Sequence, residues 1–200
     1  AELARLASEA RLGGMLSGKA GVVNVHLGDA PEGLEPIERV CSKGDLPKTQ
    51  FLPTHCNRNR PLLERAYAWA RGGGLIDFTT STVQAFLDDG ETSAAACLAR
   101  LRDEGVPAGR ATVTSDGQGS LPRFDALGVM VGLDVGSCSS LIETLREAVG
   151  RHGMALEDVL SALTETPARA LKLSRKGLIA TGMDGVLVLV DHRLLELRVD

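Results

Sequence analysis

Apolar and β-branched runs alternate with segments of helical periodicity along most of the chain. Val22 to Val25, Thr49 to His55, Leu75 to Thr80 and Ala111 to Thr114 each read as a short strand, the last of them buried. Between them apolar positions recur at helical spacing. Leu34, Ile37, Val40 and Cys41 share one face, and so do Leu62, Leu63, Ala66 and Ala70. A further helix is expected around Ser93 to Glu104. Pro36 and Pro61 sit near helix starts, where proline is tolerated, while Gly72 to Gly74 and Gly105 with Pro107 mark helix ends. A first helix carrying Leu3, Leu6, Ala7 and Ala10 is expected to stop at Gly13-Gly14.

Beyond the fourth strand, 121–137 is glycine-rich with little periodicity and is expected to be a long loop. Ser140-Leu-Ile-Glu143 matches a capping box at a helix start, and Leu156 to Leu163 and Pro167 to Leu171 read as short helices. From Gly177 to Asp200 hydrophobic runs are separated by Gly182 and Asp184-Gly185, which predicts two or three strands. The expected division is 1–174 for the repeating strand-helix part and 175–200 for the tail.

The strand ends are regularly spaced. His26 and His55 lie 29 residues apart, Thr80 follows after 25, and Asp116 after another 36. Each step is about one strand-helix unit of ~30 residues. Successive right-handed units set parallel strands side by side with their carboxyl ends on one rim. His26, His55 and Asp116 are therefore expected to share a rim. Four such units make an α/β architecture equal to half of an eight-unit (β/α)8 barrel.

Composition narrows the partners. With 22 basic and 26 acidic residues the net charge is −4, which offers no polycationic surface for nucleic acid. Apolar runs are far shorter than the ~20 residues of a membrane span. Cys41, Cys56, Cys97 and Cys138 are dispersed without a C-x-x-C pair, which favours reduced thiols and a cytoplasmic setting. The chain opens at Ala1, already inside a helical pattern, so it is expected to be the carboxyl-terminal part of a longer protein.

Two imidazoles and a carboxylate facing one mouth suit a borderline divalent ion such as zinc. A lone strand-end histidine is usually just a hydrogen-bonded polar group; two of them, one unit apart with an aspartate on the same rim, favour a metal. Arg58, three residues past His55, can reach the mouth and hold a carboxylate in a bidentate fork. Ser120 follows the Gly117-Gln-Gly119 turn and can donate to the same group. That turn lacks the Lys and Ser/Thr of a phosphate-binding loop. Cys56, next to His55, is read as a small buried hydrophobe, His152 as a helix C-terminal charge and His192 as a surface residue.

Three segments carry a resemblance. Gly21-Val-Val-Asn-Val-His26-Leu-Gly28-Asp29, Pro53-Thr-His55-Cys-Asn57-Arg58-Asn59 and Thr114-Ser-Asp116-Gly-Gln-Gly119-Ser120 together resemble the isoaspartyl (β-aspartyl) dipeptidases of the amidohydrolase superfamily. Thr166 to Leu171 and Lys176 to Asp184 are similar to the closing part of amidohydrolases generally. The resemblance implies the carboxyl-terminal half of a (β/α)8 barrel with part of a small β-sandwich, and a homo-oligomer when complete. It implies a binuclear zinc (Zn2+) site in which His26 and His55 hold one metal and Asp116 ligates the other and moves protons. It also implies that Arg58 and Ser120 bind a small dipeptide substrate. The family's His-x-His and its bridging carboxylated lysine are expected upstream of Ala1; Lys19 and Lys43 do not occupy the lysine's place. Gly185-Val replaces the Ala-Asp usual after the tail's aspartate.

The expected reaction is metal-assisted hydrolysis of a β-aspartyl amide bond, with Asp116 as proton carrier. The rival readings are a cyclic-amide hydrolase of the dihydroorotase or hydantoinase type, and a non-catalytic binding protein on the same scaffold. Half a barrel would expose sheet edges and an apolar interior, so the isolated 200 residues are expected to be poorly soluble and inactive.

Overall fold

The computed structural model describes residues 1–44, 46–191 and 196–198. Four short parallel strands form its centre: β1 (Val23–His26), β2 (Phe51–Thr54), β3 (Ile76–Thr79) and β4 (Ala111–Thr114). β1 pairs with β2 and β3 pairs with β4. The Cys56 N–H donates to the Asp77 carbonyl at 3.0 Å and so brings β2 beside β3. Strand order therefore follows the chain. Parallel neighbours need long crossovers, and helices α2 (Glu35–Lys43), α3 (Arg60–Arg71) and α5 (Ala94–Asp103) supply them. The arrangement is an unclosed, TIM-barrel-like α/β half, with all four carboxyl ends on one rim.

Alternation along each strand decides what faces the helices. Val23, Val25, Phe51, Ile76, Phe78, Ala111 and Val113 belong to or pack on the main hydrophobic cluster with the inner faces of α2, α3 and α5. The other parity carries Asn24, His26, Leu52, Thr54, Asp77, Thr79, Thr112 and Thr114, in register within the β1–β2 and β3–β4 pairs. Barrel interiors are normally filled by bulky branched side chains. This one, Leu52 apart, is polar, with four threonines and one carboxylate among its residues.

Helix α3 shows the local logic. The Asn59 side chain caps it by accepting from the Leu62 N–H at 3.0 Å, and Pro61 lies in its first turn. Its inner face buries Leu62, Leu63, Ala66, Tyr67, Trp69 and Ala70. The two polar tips on that face find partners, as buried Tyr and Trp must. Tyr67 donates to the Cys97 carbonyl at 3.1 Å and Trp69 Nε1 to the Leu75 carbonyl at 3.0 Å.

Several expected boundaries move. Helix α1 (Glu2–Ser17) passes through Gly13-Gly14 and ends at Gly18, whose φ is +68°. Gly14 is there for close approach, since a Cβ on it would lie 2.7 Å from the Gly21 backbone. The expected loop 121–137 is a hairpin of β5 (Ser120–Phe124) and β6 (Met130–Val135), paired antiparallel. Asp125 closes its turn by accepting from the Leu127 and Val129 N–H groups, both at 2.9 Å. Helix α4 (Gln84–Asp88) occupies part of the connection after β3.

Helix α6 (Ser140–Gly150) begins without a side-chain cap. The Ser140 hydroxyl is engaged elsewhere, with the Ser137 carbonyl at 2.7 Å and Thr80 Oγ1 at 2.5 Å. His152 follows that helix, 3.4 Å from Glu147. Helices α7 (Leu156–Leu163) and α8 (Glu165–Ala170) follow as expected. In the tail, β7 (Leu189–Asp191) pairs with β8 (Glu196–Arg198), and 177–188 forms no strand. His192 lies outside the described residues. No helix among the described residues is long and apolar enough to cross a membrane.

Candidate active site

The carboxyl rim is held in shape by backbone that most residues avoid. His55, one residue past β2, has φ +62°, and Asp116, two residues past β4, has φ +48°. Non-glycine residues in this left-handed region cost on the order of 1–3 kcal/mol and persist only when their surroundings over-determine them.

The surroundings do so on both sides. Behind His55, the Asn57 side chain is 1% exposed and fully bonded. Its Nδ2 donates to the Thr79 carbonyl at 3.0 Å and the Thr92 carbonyl at 2.9 Å, and its Oδ1 accepts from the Thr79 N–H at 2.9 Å. Around Asp116, the Gly119 N–H donates to the Asp116 carbonyl at 2.9 Å and the Gln118 N–H to the Gly136 carbonyl at 2.9 Å. A Cβ on Gly119 would lie 2.7 Å from the Asp116 carbonyl oxygen, and one on Gly136 would lie 2.7 Å from Ser81 Oγ. Only glycine fits this packing.

These constraints bring three expected residues together. His26 Nδ1 and His55 Nε2 are 3.1 Å apart, with the rings edge to face at 61°. His55 Nε2 lies 3.9 Å from Asp116 Oδ2. His55 is buried, and burial, followed by the Arg58 charge, pulls its pKa below the ordinary 6.5 against the opposing pull of Asp116. A neutral imidazole with a free lone pair is the form that ligates metal.

Whether the trio fits a metal turns on those distances. Two nitrogens each about 2.0–2.1 Å from a tetrahedral zinc stand about 3.3–3.4 Å apart, close to the 3.1 Å found here. His55 Nδ1 is buried without a hydrogen-bond partner, which leaves the ring to be oriented through its other nitrogen. The donor chemistry fits one face of a metal site. Among the described residues no group of three or more His, Cys, Asp or Glu side chains makes a complete metal cluster.

The other two expected residues have surroundings of their own. Arg58 is half-buried beside Asp29, Asn59, Phe86, Asp89 and Glu91, around a cavity of about 120 Å³. Its charge reaches His55 through space. Ser120 is exposed at the first position of β5, opposite Val135. Cys56 is fully buried, and burial pushes its thiol pKa far up, as suits a small packed side chain. All four cysteines are free thiols.

Two further polar residues, Asn57 on this rim and Asp77 below it, are not among the expected site residues. Asn57 lies inside the Pro53 to Asn59 motif, whose residue types give no sign of its bonds to Thr79 and Thr92. Asp77 stood as the one charged residue in the apolar run Leu75-Ile-Asp-Phe, a signal that it faces away from the Ile76–Phe78 side. It is fully buried, and burial raises its pKa to about 6 despite hydrogen bonds from Thr112, Thr54 and Thr114.

The model of the amidohydrolase family matches residues 80–198. The chain belongs to the amidohydrolase family. This amidohydrolase chain is similar to a β-aspartyl dipeptidase from Fervidobacterium islandicum AW-1 solved in complex with a β-Asp-Leu dipeptide. The two share 39% identity over 98% of this chain, with a TM-score of 0.85. A second structure of β-aspartyl dipeptidase from that organism gives 35% identity, the same coverage and a TM-score of 0.82. The amidohydrolase chain spans about half the length of these relatives, 50% and 48% respectively.

Proposed function

We propose that the complete protein is a zinc-dependent hydrolase of β-aspartyl dipeptides, to which this chain contributes His26, His55, Asp116, Arg58 and Ser120. The observation that carries the reading is the 39% identity to a dipeptide-bound β-aspartyl dipeptidase along 98% of the chain. The converging imidazoles and carboxylate at the rim support it.

His26 and His55 would hold one metal and Asp116 a second, with the remaining donors outside this chain. Zinc supplies Lewis-acid polarisation of the scissile carbonyl and a water acidified to near pH 7. The carboxylate of Asp116 takes the proton from the attacking water as the carbon–oxygen bond forms. It returns that proton to the amine nitrogen as the carbon–nitrogen bond breaks. The Arg58 guanidinium pairs with a substrate carboxylate, and the Ser120 hydroxyl donates to it, which favours a dipeptide over a long chain. Residues 1–174 form the barrel part and 175–200 contribute to a smaller β-structure. The free thiols are in keeping with a cytoplasmic enzyme, and the complete protein is a homo-oligomer.

The test is hydrolysis of β-Asp-Leu against α-Asp-Leu by the complete protein, before and after chelation and zinc replacement. Selective, chelator-sensitive turnover of the β-linked peptide is expected. Turnover of dihydroorotate or hydantoin without β-Asp-Leu, or a protein that takes up no zinc, overturns the assignment.

A further inference from the structure

The strand that contributes nothing to the proposed site carries a buried carboxylate bonded to both neighbouring strands beneath it. Asp77, at the middle of β3, is fully buried and faces the interior. Its Oδ2 accepts from Thr54 Oγ1 on one side and from Thr114 Oγ1, at 2.7 Å, on the other. Its Oδ1 accepts from Thr112 Oγ1 at 2.5 Å. Thr54 immediately precedes His55, and Thr114 lies two residues before Asp116. One carboxylate oxygen thus bonds directly to the last residue of both strands that lead into His55 and Asp116.

From this geometry we infer that Asp77 is a positioning residue, which sets the spacing of His55 and Asp116 by tying Thr54 to Thr114. The inference rests on the function proposed above. Three observations carry it. The tie spans β2, β3 and β4 at the level where the strands end. Both residues it positions hold a left-handed backbone that needs support from below. The interior layer it belongs to is threonine-rich where aliphatic packing is usual, so hydrogen bonds, rather than side-chain bulk, fix the strand ends.

Asn57 and the glycines around Asp116 secure each loop separately. Asp77 is what joins the two. Outer-shell partners of metal ligands typically change metal affinity or activity 10–100-fold when removed. Acting through one intervening residue, Asp77 belongs at the lower end of that range.

The experiment compares Asp77→Asn, Asp77→Leu, Thr114→Ser and Thr114→Val in the complete protein. The readouts are kcat and KM on β-Asp-Leu, zinc affinity of the metal-free protein against a competing chelator, and thermal unfolding. Asn keeps one oxygen to accept from both Thr54 and Thr114, and its amide can donate to Thr112 Oγ1. Asp77→Asn and Thr114→Ser should stay within about threefold of wild type. Asp77→Leu and Thr114→Val should each lose about tenfold or more in kcat and in zinc affinity, with KM changed less than threefold.

If Asp77→Leu does not fold, the Thr114 pair decides alone, since Val and Thr are nearly isosteric. Equal kcat and zinc affinity for Thr114→Val and Thr114→Ser overturns the inference, as does a loss in Asp77→Asn as large as in Asp77→Leu. A wild-type protein with neither β-Asp-Leu turnover nor zinc uptake overturns the functional proposal itself. That outcome is told apart because it appears before any variant is compared.

Discussion

Asp77 ought to make the metal-free protein less stable as the pH rises into the neutral range. Its pKa in the fold is about 6, against 3.8 for the ordinary aspartate, and burial is the leading cause. The folded state therefore holds the proton more tightly than the unfolded chain. Wherever the folded state binds more protons, stability falls with rising pH. The contribution is fully present below about pH 3.8 and is lost as the pH climbs through about 6. A shift of roughly two pKa units corresponds to roughly 3 kcal/mol at about 1.4 kcal/mol per unit.

Asp77→Asn removes the titration while keeping the shape and the hydrogen bonds. The Thr112 hydroxyl, freed from donating to the carboxylate, can turn to the Ile76 carbonyl 3.4 Å away. Urea unfolding of the metal-free complete protein at pH 4, 5, 6 and 7.5 should then show the variant gaining on wild type. The gap should grow by about 2.4 kcal/mol across that range, the rest of the shift having been expressed below pH 4. A gap that stays flat from pH 4 to 7.5 refutes the reasoning. So does one that widens toward acid, because either result would mean that Asp77 is not held protonated by burial.

Three further outcomes are expected. Asn57→Ala strands the Thr79 N–H and two carbonyls that the side chain satisfies; at about 1–3 kcal/mol per buried unsatisfied group, unfolding should reveal a loss of at least about 2 kcal/mol, and a loss under about 0.5 would contradict the clamp. Gly119→Ala drives a Cβ to 2.7 Å from the Asp116 carbonyl, so kcat on β-Asp-Leu should drop at least about tenfold with the fold intact by circular dichroism; unchanged kcat would mean that the turn adapts. In the metal-free protein, an NMR titration of His55 should give a midpoint below 6.5, and Arg58→Ala should raise it, because the guanidinium is the second cause of the depression after burial; a midpoint unmoved by that substitution removes Arg58 from the rim's electrostatics.

The parts of the fold legible in the sequence were those where burial imposes a period. Phe51, Ile76, Phe78 and Val113 must face the helices, so all four parallel strands and their crossovers could be read directly. Strand-end spacing then put His26, His55 and Asp116 on one rim, and they do meet there. The β5–β6 hairpin was not legible, because it faces no core. Met130, Val131, Leu133 and Val135 are all exposed, so apolar residues fall on both faces and no alternation develops. Its one local signal is the turn from Asp125 to Gly128, where Gly128 takes φ +77°. Gly14 misled for a related reason: a glycine inside a helix for close backbone approach looks, in one dimension, like a glycine that ends it. The hydrogen-bond network of Asp77 joins three strands and leaves no spacing signature; only its charge within the run Leu75 to Phe78 sets it apart.

The left-handed backbone at His55 also bears on how such an enzyme would decay. At φ +62° glycine or asparagine is more comfortable than histidine. Under the function proposed above, the imidazole is kept there, at a conformational disadvantage, for its place at the metal site. A lineage released from turnover would gain robustness from His55→Gly or His55→Asn with no other change, so either residue at this position is the mark to look for in relatives that have kept the scaffold and abandoned the reaction.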